Sequence, residues 1–152
     1  MCSPIASFTL EADVNAPPEV VFDVLADHRG YAAISRLRKS ELEREGEPAP
    51  NGVGAIRKLT AVGPPLREEV IEYAPPQRFA YRLLSGAPLR DHVGTVELTP
   101  AATGTHVTYR VETTPTLPVG KGLAVGVTKW SVKGLLDGIA RESERRAAVG
   151  ST

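Results

Sequence analysis

Five polar residues have side chains that could carry chemistry inside this protein: Arg57, Glu68, Tyr81, His92 and Tyr109. Tyr81, His92 and Tyr109 are predicted to lie on the inward faces of strands. The strand of Arg57 is ambiguous, but an inward Arg57 could meet Glu68. If Arg57 and Glu68 meet on adjoining strands, they either neutralise one another or form a polar anchor that orients a ligand carbonyl or carboxylate. His92 is either a general acid or base, because the unperturbed pKa of histidine lies near neutrality, or a hydrogen-bonded structural residue. The two tyrosine hydroxyls are either satisfied within the core or reach a ligand.

The spacings that indicate several other chemistries are missing from the sequence. It contains no Ser-His-Asp arrangement, no metal-ligand spacing and no phosphate-binding loop, and the glycines at 120, 122 and 126 do not match the dinucleotide fingerprint. Glu68 and Glu69 are adjacent on one strand and therefore face opposite sides, so they cannot flank one bond as a hydrolytic pair does. We therefore expect no metal and no cofactor.

The inward positions follow from the alternation of residue types along the predicted strands. The shared faces are Phe79, Tyr81 and Leu83 in one strand, His92, Gly94, Val96 and Leu98 in the next, and Thr105, Val107, Tyr109 and Val111 in the last. The reverse faces are polar, which places these residues toward a core. Val96 is accordingly predicted to be an apolar ligand contact beside the polar candidates.

The order of elements predicts the architecture that positions these faces. We expect strands at 5–14, 37–45, 55–61, 66–73, 78–85, 91–99 and 105–113, with a helix that starts at 15–19 and a second short helix or turn at 31–36. The later strands are joined by connections too short for crossover helices, so neighbours must pair antiparallel. The prediction is an α+β fold with a six- to seven-stranded antiparallel sheet.

A long C-terminal helix, predicted at 123–148, is expected to close this sheet. Its apolar stripe consists of Val125, Thr128, Val132, Leu135, Leu136, Ile139 and Ser143. Helical spacing puts these residues on one side, as in a helix that packs on a core. Because sheets twist, a sheet of this size should curl around the helix and leave a cavity between them.

Composition excludes several classes of partner. Among 152 residues, eighteen basic and eighteen acidic side chains cancel, so a basic face for nucleic acid is not expected. We find neither a signal peptide nor an apolar run of about 18 residues that could span a membrane. The single cysteine, Cys2, excludes an internal disulfide and a cysteine-based metal cage. We expect one domain over 1–152, located in the cytoplasm.

Several segments resemble the polyketide cyclase/dehydrase and lipid-transport family of the START/Bet v 1-like superfamily. They are 15–22, 27–31, 51–57, 67–70, 75–76 with Tyr81, 85–88 and 104–105. The resemblance covers nearly the whole chain, and it implies the helix-grip fold with a cavity for a hydrophobic ligand. Because one fold hosts many activities, it leaves the chemistry open.

The resemblance leaves three possible functions. The first is binding or carrying a small hydrophobic ligand of lipid-like or polyketide-like character. The second is a cofactor-independent cyclase, aromatase or dehydratase that uses the same cavity, and the third is a protein-interaction module. We expect a monomer or a homodimer.

Three further residues have simpler predicted roles. Asp27 and His28 stand where the first helix ends, so a helix-ending or solvent-exposed role is expected. Trp130 lies opposite the apolar stripe of the long helix and is predicted to pack under the loop at 114–122. A contact with a partner or membrane is the alternative for Trp130.

Overall fold

The computed structural model describes residues 6–61, 63–116 and 121–150. Cys2 and the first residue of the predicted strand at 5–14 lie outside them. The elements are β1 (Ala6–Val14), α1 (Pro18–Ala26), a 3-10 helical turn (His28–Gly30), α2 (Tyr31–Ile34), β2 (Lys39–Arg44), β3 (Ile56–Thr60), β4 (Leu66–Ala74), β5 (Arg78–Ser85), β6 (Leu89–Ala101), β7 (Gly104–Pro115) and α3 (Lys121–Gly150).

The seven described strands form one antiparallel sheet in the order β1-β7-β6-β5-β4-β3-β2. Strands β2 to β7 follow one another as a meander, and the connections from β3 onward are short. Strand β1 joins at the far side, where Ala6 lies opposite Thr113 of β7. The predicted α+β helix-grip fold, with short helices after the first strand and a long helix at the end, is confirmed.

Strands β6 and β7 extend further than their sequence alternation predicts. They run to a tight hairpin in which Ala101 pairs with Gly104. Gly104 has a φ of 142°, a conformation that glycine adopts without strain. A side chain at Gly104 would also collide with the backbone of Val14 and Ala16. The glycine therefore lets the start of β7 approach the end of β1.

Helix α1 fills one end of the concave face of the sheet. Pro17 and Pro18 suit its first turn, where a backbone N–H would have no helical partner, and Glu19 suits the positive end of the helix dipole. The ring of Phe22 meets those of Tyr73 and Phe79 edge-on, with centroids 5.3 and 6.4 Å away. This aromatic packing makes that end of the concave face solid.

Helix α3 covers the sheet with its C-terminal half. Val132, Leu136, Ile139 and Ser143 are buried, and the Ser143 hydroxyl donates to the Ile139 carbonyl at 2.6 Å. Gly138 leaves room for the last turn of α2, whose backbone would collide with a side chain there. Val125 and Thr128, in the N-terminal half, are only partly buried. That half therefore stands over a part of the sheet that α1 does not fill.

Candidate functional site

Arg57 is the centre of a buried polar network on β3. Its Nε donates to Glu68 Oε1 at 2.8 Å, and the two residues are register partners on β3 and β4. Nη1 lies 3.0 Å from the Tyr31 hydroxyl and 3.4 Å from His28 Nδ1. The Arg57 side chain is 1% exposed and that of Glu68 is 7% exposed. The predicted inward pair is thus present, and a buried charge is matched by its opposite.

His28 belongs to this network, so the expected solvent-exposed role for it is wrong. Its ring is fully buried, and Nε2 lies 3.2 Å from the Asn51 carbonyl. A carbonyl accepts and a guanidinium donates, so the geometry requires the proton on Nε2 and a lone pair on Nδ1. Burial, and then the Arg57 charge, lower the pKa of His28 to about 3. His28 is therefore neutral at pH 7. Asp27 does stand at the end of α1 as its C-cap residue, and its side chain caps the following 3-10 turn by accepting from the Gly30 N–H at 3.3 Å.

Tyr31 is the other network member that strand alternation could not identify. Its hydroxyl accepts from Arg57 and donates to the Leu25 carbonyl at the end of α1. His28 and Tyr31 lie in short helical segments, where no period of two marks an inward side. The sequence signal for both was the segment 27–31, which carried part of the family resemblance.

Tyr81 and Tyr109 form a buried hydroxyl pair beside the network. Their oxygens are 2.5 Å apart, and burial raises the pKa of both hydroxyls, so both are protonated at neutral pH. The Arg57 guanidinium carbon lies 4.4 Å from the centre of the Tyr81 ring, a cation–π contact. Gly94 faces Tyr81 across β5 and β6, and a side chain at Gly94 would overlap the phenol ring. Gly94 therefore makes the space that Tyr81 occupies.

His92 is inward, as predicted, and of the two roles considered for it the hydrogen-bonded structural role does not apply. Its Nδ1 is buried and has no hydrogen-bond partner among the described residues. Its ring lies 6.2 Å from the Tyr81 ring. Burial lowers the pKa of His92, and the Glu68 charge opposes that shift only in part. A neutral imidazole nitrogen without a partner, buried against a cavity, is available to a ligand.

These side chains border a cavity of about 340 Å³ between the sheet and the N-terminal half of α3. We call Arg57, Glu68, Tyr81, His92 and Tyr109 the polar floor, since all five line it. The other walls are largely apolar and include Leu59, Leu66, Leu83, Leu89, Val132 and Leu135. Val96 differs from prediction, because it packs in the core cluster with Phe22 and Phe79 and is absent from the cavity lining.

Trp130 is at the mouth of the cavity. It is 58% exposed, lines the cavity, and lies under the Arg36 guanidinium, whose carbon is 4.0 Å from the ring centre. The predicted packing under the loop at 114–122 involves residues 117–120, which lie outside the described residues. In the described part of the chain, the contact of Trp130 is with Arg36, from the segment after α2.

Comparison with known proteins identifies the family. Residues 6–144 match the family described as polyketide cyclase / dehydrase and lipid transport. The chain belongs to this family. A search of curated proteins finds no match.

Solved structures share the helix-grip fold of this family at low sequence identity. The Zhui aromatase/cyclase from Streptomyces sp. R1128 is 22% identical, with a TM-score of 0.77 over 94% of this chain and 96% of that one. Ara h 8.0201 is 16% identical, with a TM-score of 0.72 over 90% and 96%. The di-domain ARO/CYC StfQ from the steffimycin biosynthetic pathway is 18% identical, with a TM-score of 0.77 over 95% of this chain and 52% of that one.

In this member of the polyketide cyclase / dehydrase and lipid transport family, the polar groups beside the cavity carry little net charge. Arg57 and Glu68 cancel, His28 and His92 have lowered pKa values, and the buried tyrosines stay protonated. The polar floor is thus close to neutral while it offers hydrogen-bond donors and acceptors. Family and fold indicate hydrophobic ligand binding or a cyclase-type role.

Among the described residues, no helix is long and apolar enough to cross a membrane.

Proposed function

We propose that the cavity binds a small, largely apolar molecule that carries a neutral polar group, such as a ketone or hydroxyl. The observation that carries this proposal is the polar floor at the inner end of an otherwise apolar cavity. A volume of about 340 Å³ is within the range of small-molecule sites. We expect the apolar walls to provide most of the affinity for the ligand, and the polar floor to orient the ligand through hydrogen bonds to its polar group.

A neutral group fits the floor better than a carboxylate does. The Arg57 charge is already matched by Glu68 at 2.8 Å, so a second carboxylate would add an unmatched buried charge. A carbonyl or hydroxyl needs only donors and acceptors, which Tyr81, Tyr109 and His92 Nδ1 provide. The preferred ligand class is therefore apolar and uncharged, of polyketide-like or lipid-like character.

The test of this proposal is a substitution on β5 that places a larger side chain in the cavity. Leu83 lines the cavity, whereas Leu84, the next residue, does not and is 39% exposed. Leu83→Trp should weaken binding of an environment-sensitive apolar dye by at least about tenfold, since a bulky side chain takes the ligand's volume. Leu84→Trp is the matched control and should bind like the natural protein. Dye binding that is unchanged in Leu83→Trp, with the far-ultraviolet spectrum retained, places the site elsewhere.

A cyclase- or dehydratase-type enzyme is the second candidate, and His92 is the observation that favours it. Its unpartnered Nδ1 and neutral ring could accept a proton, while one hydroxyl of the Tyr81–Tyr109 pair, whose proton the pair does not use, could donate to a substrate oxygen. Two kinds of titratable group meeting at one end of a cavity are typical of acid–base catalysis. A carrier needs no such convergence.

Dehydration of an aromatic β-hydroxyketone to its conjugated enone, followed by absorbance, separates the two candidates. An enzyme should accelerate this reaction, and His92→Gln should slow it by about 10²- to 10⁴-fold while dye affinity is kept. Tyr73→Phe is a control, because Tyr73 does not line the cavity. A natural protein that gives no acceleration supports the carrier, and a His92→Gln variant of full activity removes His92 from the mechanism.

A further inference from the structure

An apolar stripe faces solvent on the N-terminal half of α3. Leu123, Val127 and Trp130 are spaced by one helical turn each and are 63%, 57% and 58% exposed. They lie on the side of the helix opposite Val132, which packs in the core. Exposed apolar residues are common singly, but a contiguous stripe marks a contact surface.

This stripe is continuous with the mouth of the cavity. Val127 and Trp130 line the cavity as well as facing solvent, and Pro64 and Ala87 line it from the β3–β4 and β5–β6 connections. We call the segments 36–39, 63–65, 86–90 and 122–134 the rim, because each contributes residues to the lining at this mouth. A molecule that enters the cavity past Trp130 must cross the rim.

The rim is basic in a chain that is neutral overall. Its four segments contain six Lys or Arg residues and no Asp or Glu, against eighteen of each sign in the whole sequence. Arg36 and Lys129 are exposed beside the apolar stripe. The acidic residues Glu41, Asp91 and Asp137 stand just outside the rim, and Glu41 and Asp137 pair with Lys39 and Lys133. The exposed apolar stripe is thus bordered by positive charge.

We propose that the rim docks on an anionic lipid bilayer, so that the cavity mouth opens onto the membrane surface. Tryptophan and aliphatic side chains enter the interface between headgroups and acyl chains, and Lys and Arg beside them attract anionic headgroups. A second copy of the chain is a poorer occupant, because a symmetric contact would set Arg36 and Lys129 against the same charges. Docking extends the proposed function by giving an apolar ligand a route into the cavity, but it does not require a bound ligand.

Trp130 makes docking directly measurable, since it is the only tryptophan in the chain. The natural protein is mixed with vesicles of phosphatidylcholine alone, or of phosphatidylcholine with phosphatidylglycerol. Co-sedimentation and a blue shift of the tryptophan emission are expected with the anionic vesicles, and added salt should weaken both. Equal binding to the two kinds of vesicle, or binding to neither, would overturn the proposal.

Two variants test the residues of the rim. Neither Leu123 nor Lys129 lines the cavity. Leu123→Ser should lower vesicle partitioning about tenfold, through lost apolar burial, and Lys129→Gln about fivefold, through lost headgroup attraction. Ile71→Ser, on an exposed apolar residue of β4, and Arg141→Gln, on an exposed residue further along α3, are the matched controls. Losses as large in the controls would contradict a localised surface.

The remaining outcomes also decide the proposal. Self-association of the natural protein that Leu123→Ser abolishes would assign the stripe to a second copy and overturn membrane docking. Dye binding without vesicles should be unchanged in Leu123→Ser and Lys129→Gln. Loss of vesicle binding with dye binding retained would overturn docking alone. Loss of dye binding with vesicle binding retained would overturn the proposed ligand site alone, so the two proposals are separately testable.

Discussion

Arg57 and Glu68 are opposed residues of β3 and β4 whose side chains form a buried ion pair, 2.8 Å from Nε to Oε1. The same two side chains line the cavity. The pair therefore stands at a position where it stabilises the sheet and also borders the ligand. Its contributions to stability and to binding have to be separated by experiment.

Replacing one member of this pair should destabilise the protein strongly. Glu68→Leu leaves the Arg57 charge buried without its partner, at an expected cost of about 3–5 kcal/mol. The double variant Arg57→Met, Glu68→Leu should recover most of this. We expect about 1–3 kcal/mol to remain lost, because His28 Nδ1 no longer has its donor. Chemical denaturation measures all three proteins.

The control is Glu43→Leu, which removes the partner of Arg67 in a more exposed ion pair between β2 and β4. This substitution should change the denaturation midpoint little, because exposed ion pairs contribute little stability. A Glu68→Leu variant as stable as the natural protein would contradict a buried charge pair. Dye affinity of the double variant then decides function. A fall of about tenfold or more supports a ligand-orienting floor, and unchanged affinity leaves the pair a structural role alone.

One substitution at two places on α3 tests how the helix closes the sheet. Leu136 is 3% exposed and Leu123 is 63% exposed. Leu136→Ala should lower the free energy of unfolding by about 2–5 kcal/mol, because it leaves a hole in the core. Leu123→Ala should change it by less than about 0.5 kcal/mol. Equal effects on the denaturation midpoint are incompatible with the observed orientation of α3.

Gly94 should be sensitive to the smallest possible side chain. Gly94→Ala would force the Tyr81 ring from its place and separate its hydroxyl from Tyr109. We expect a loss of about 1–3 kcal/mol, as for an overpacked core, together with weaker dye binding. Gly126→Ala, on α3 where nothing lies within 4 Å of the new carbon, should instead stabilise by about 0.5–1 kcal/mol. A harmless Gly94→Ala would show that Tyr81 has another position open to it.

His28 should make stability depend on mildly acidic pH. Its pKa is about 3 in the folded protein, below the ordinary value of 6.5, so between these values the unfolded chain binds a proton that the folded one does not. Stability from this group is complete above about pH 6.5 and is lost as the pH falls toward 3, by up to about 1.4 kcal/mol per pH unit.

The variant His28→Gln, which keeps a donor and an acceptor, should flatten this slope in denaturation curves recorded from pH 7 to pH 4. His106 is the contrasting control. Hydrogen bonds to Asp13 and then Glu11 raise the pKa of His106, so its contribution is present at low pH and is lost as the pH rises through its folded value. An unchanged slope in His28→Gln would mean that His28 is not the residue responsible.

Strand alternation predicted most of the polar floor, because successive side chains of a strand point to opposite faces of the sheet and each residue has only two possible directions. Tyr81, His92 and Tyr109 lie on the strand faces that alternation assigned to the core, and all three are buried. The period left the direction of Arg57 open, and the inward placement rested on the possible meeting of Arg57 with Glu68 on the neighbouring strand. The long helix was predictable for a similar reason, since its stripe repeats over several turns.

Contacts between distant elements account for what alternation could not predict. His28 and Tyr31 reach Arg57 across 29 and 26 residues of sequence. Val96 is inward like Tyr109, but whether an inward residue meets the cavity or the solid core depends on which end of the sheet α1 covers. Trp130 was assigned correctly to the side of α3 away from the core, while its contact with Arg36 depends on how α2 approaches that helix.

The strand order also bears on how the molecule avoids aggregation. Strand β1 contacts α3, whereas β2, at the opposite end of the sheet, contains four charged residues among the six of Lys39–Arg44. A register shift between Leu42 and Arg44 interrupts its pairing with β3. Charges and irregularities on an edge strand oppose the addition of a strand from another chain. A β2 that has lost three of these charges through Lys39→Thr, Glu41→Thr and Glu43→Thr should therefore be more prone than the natural protein to assemble edge to edge.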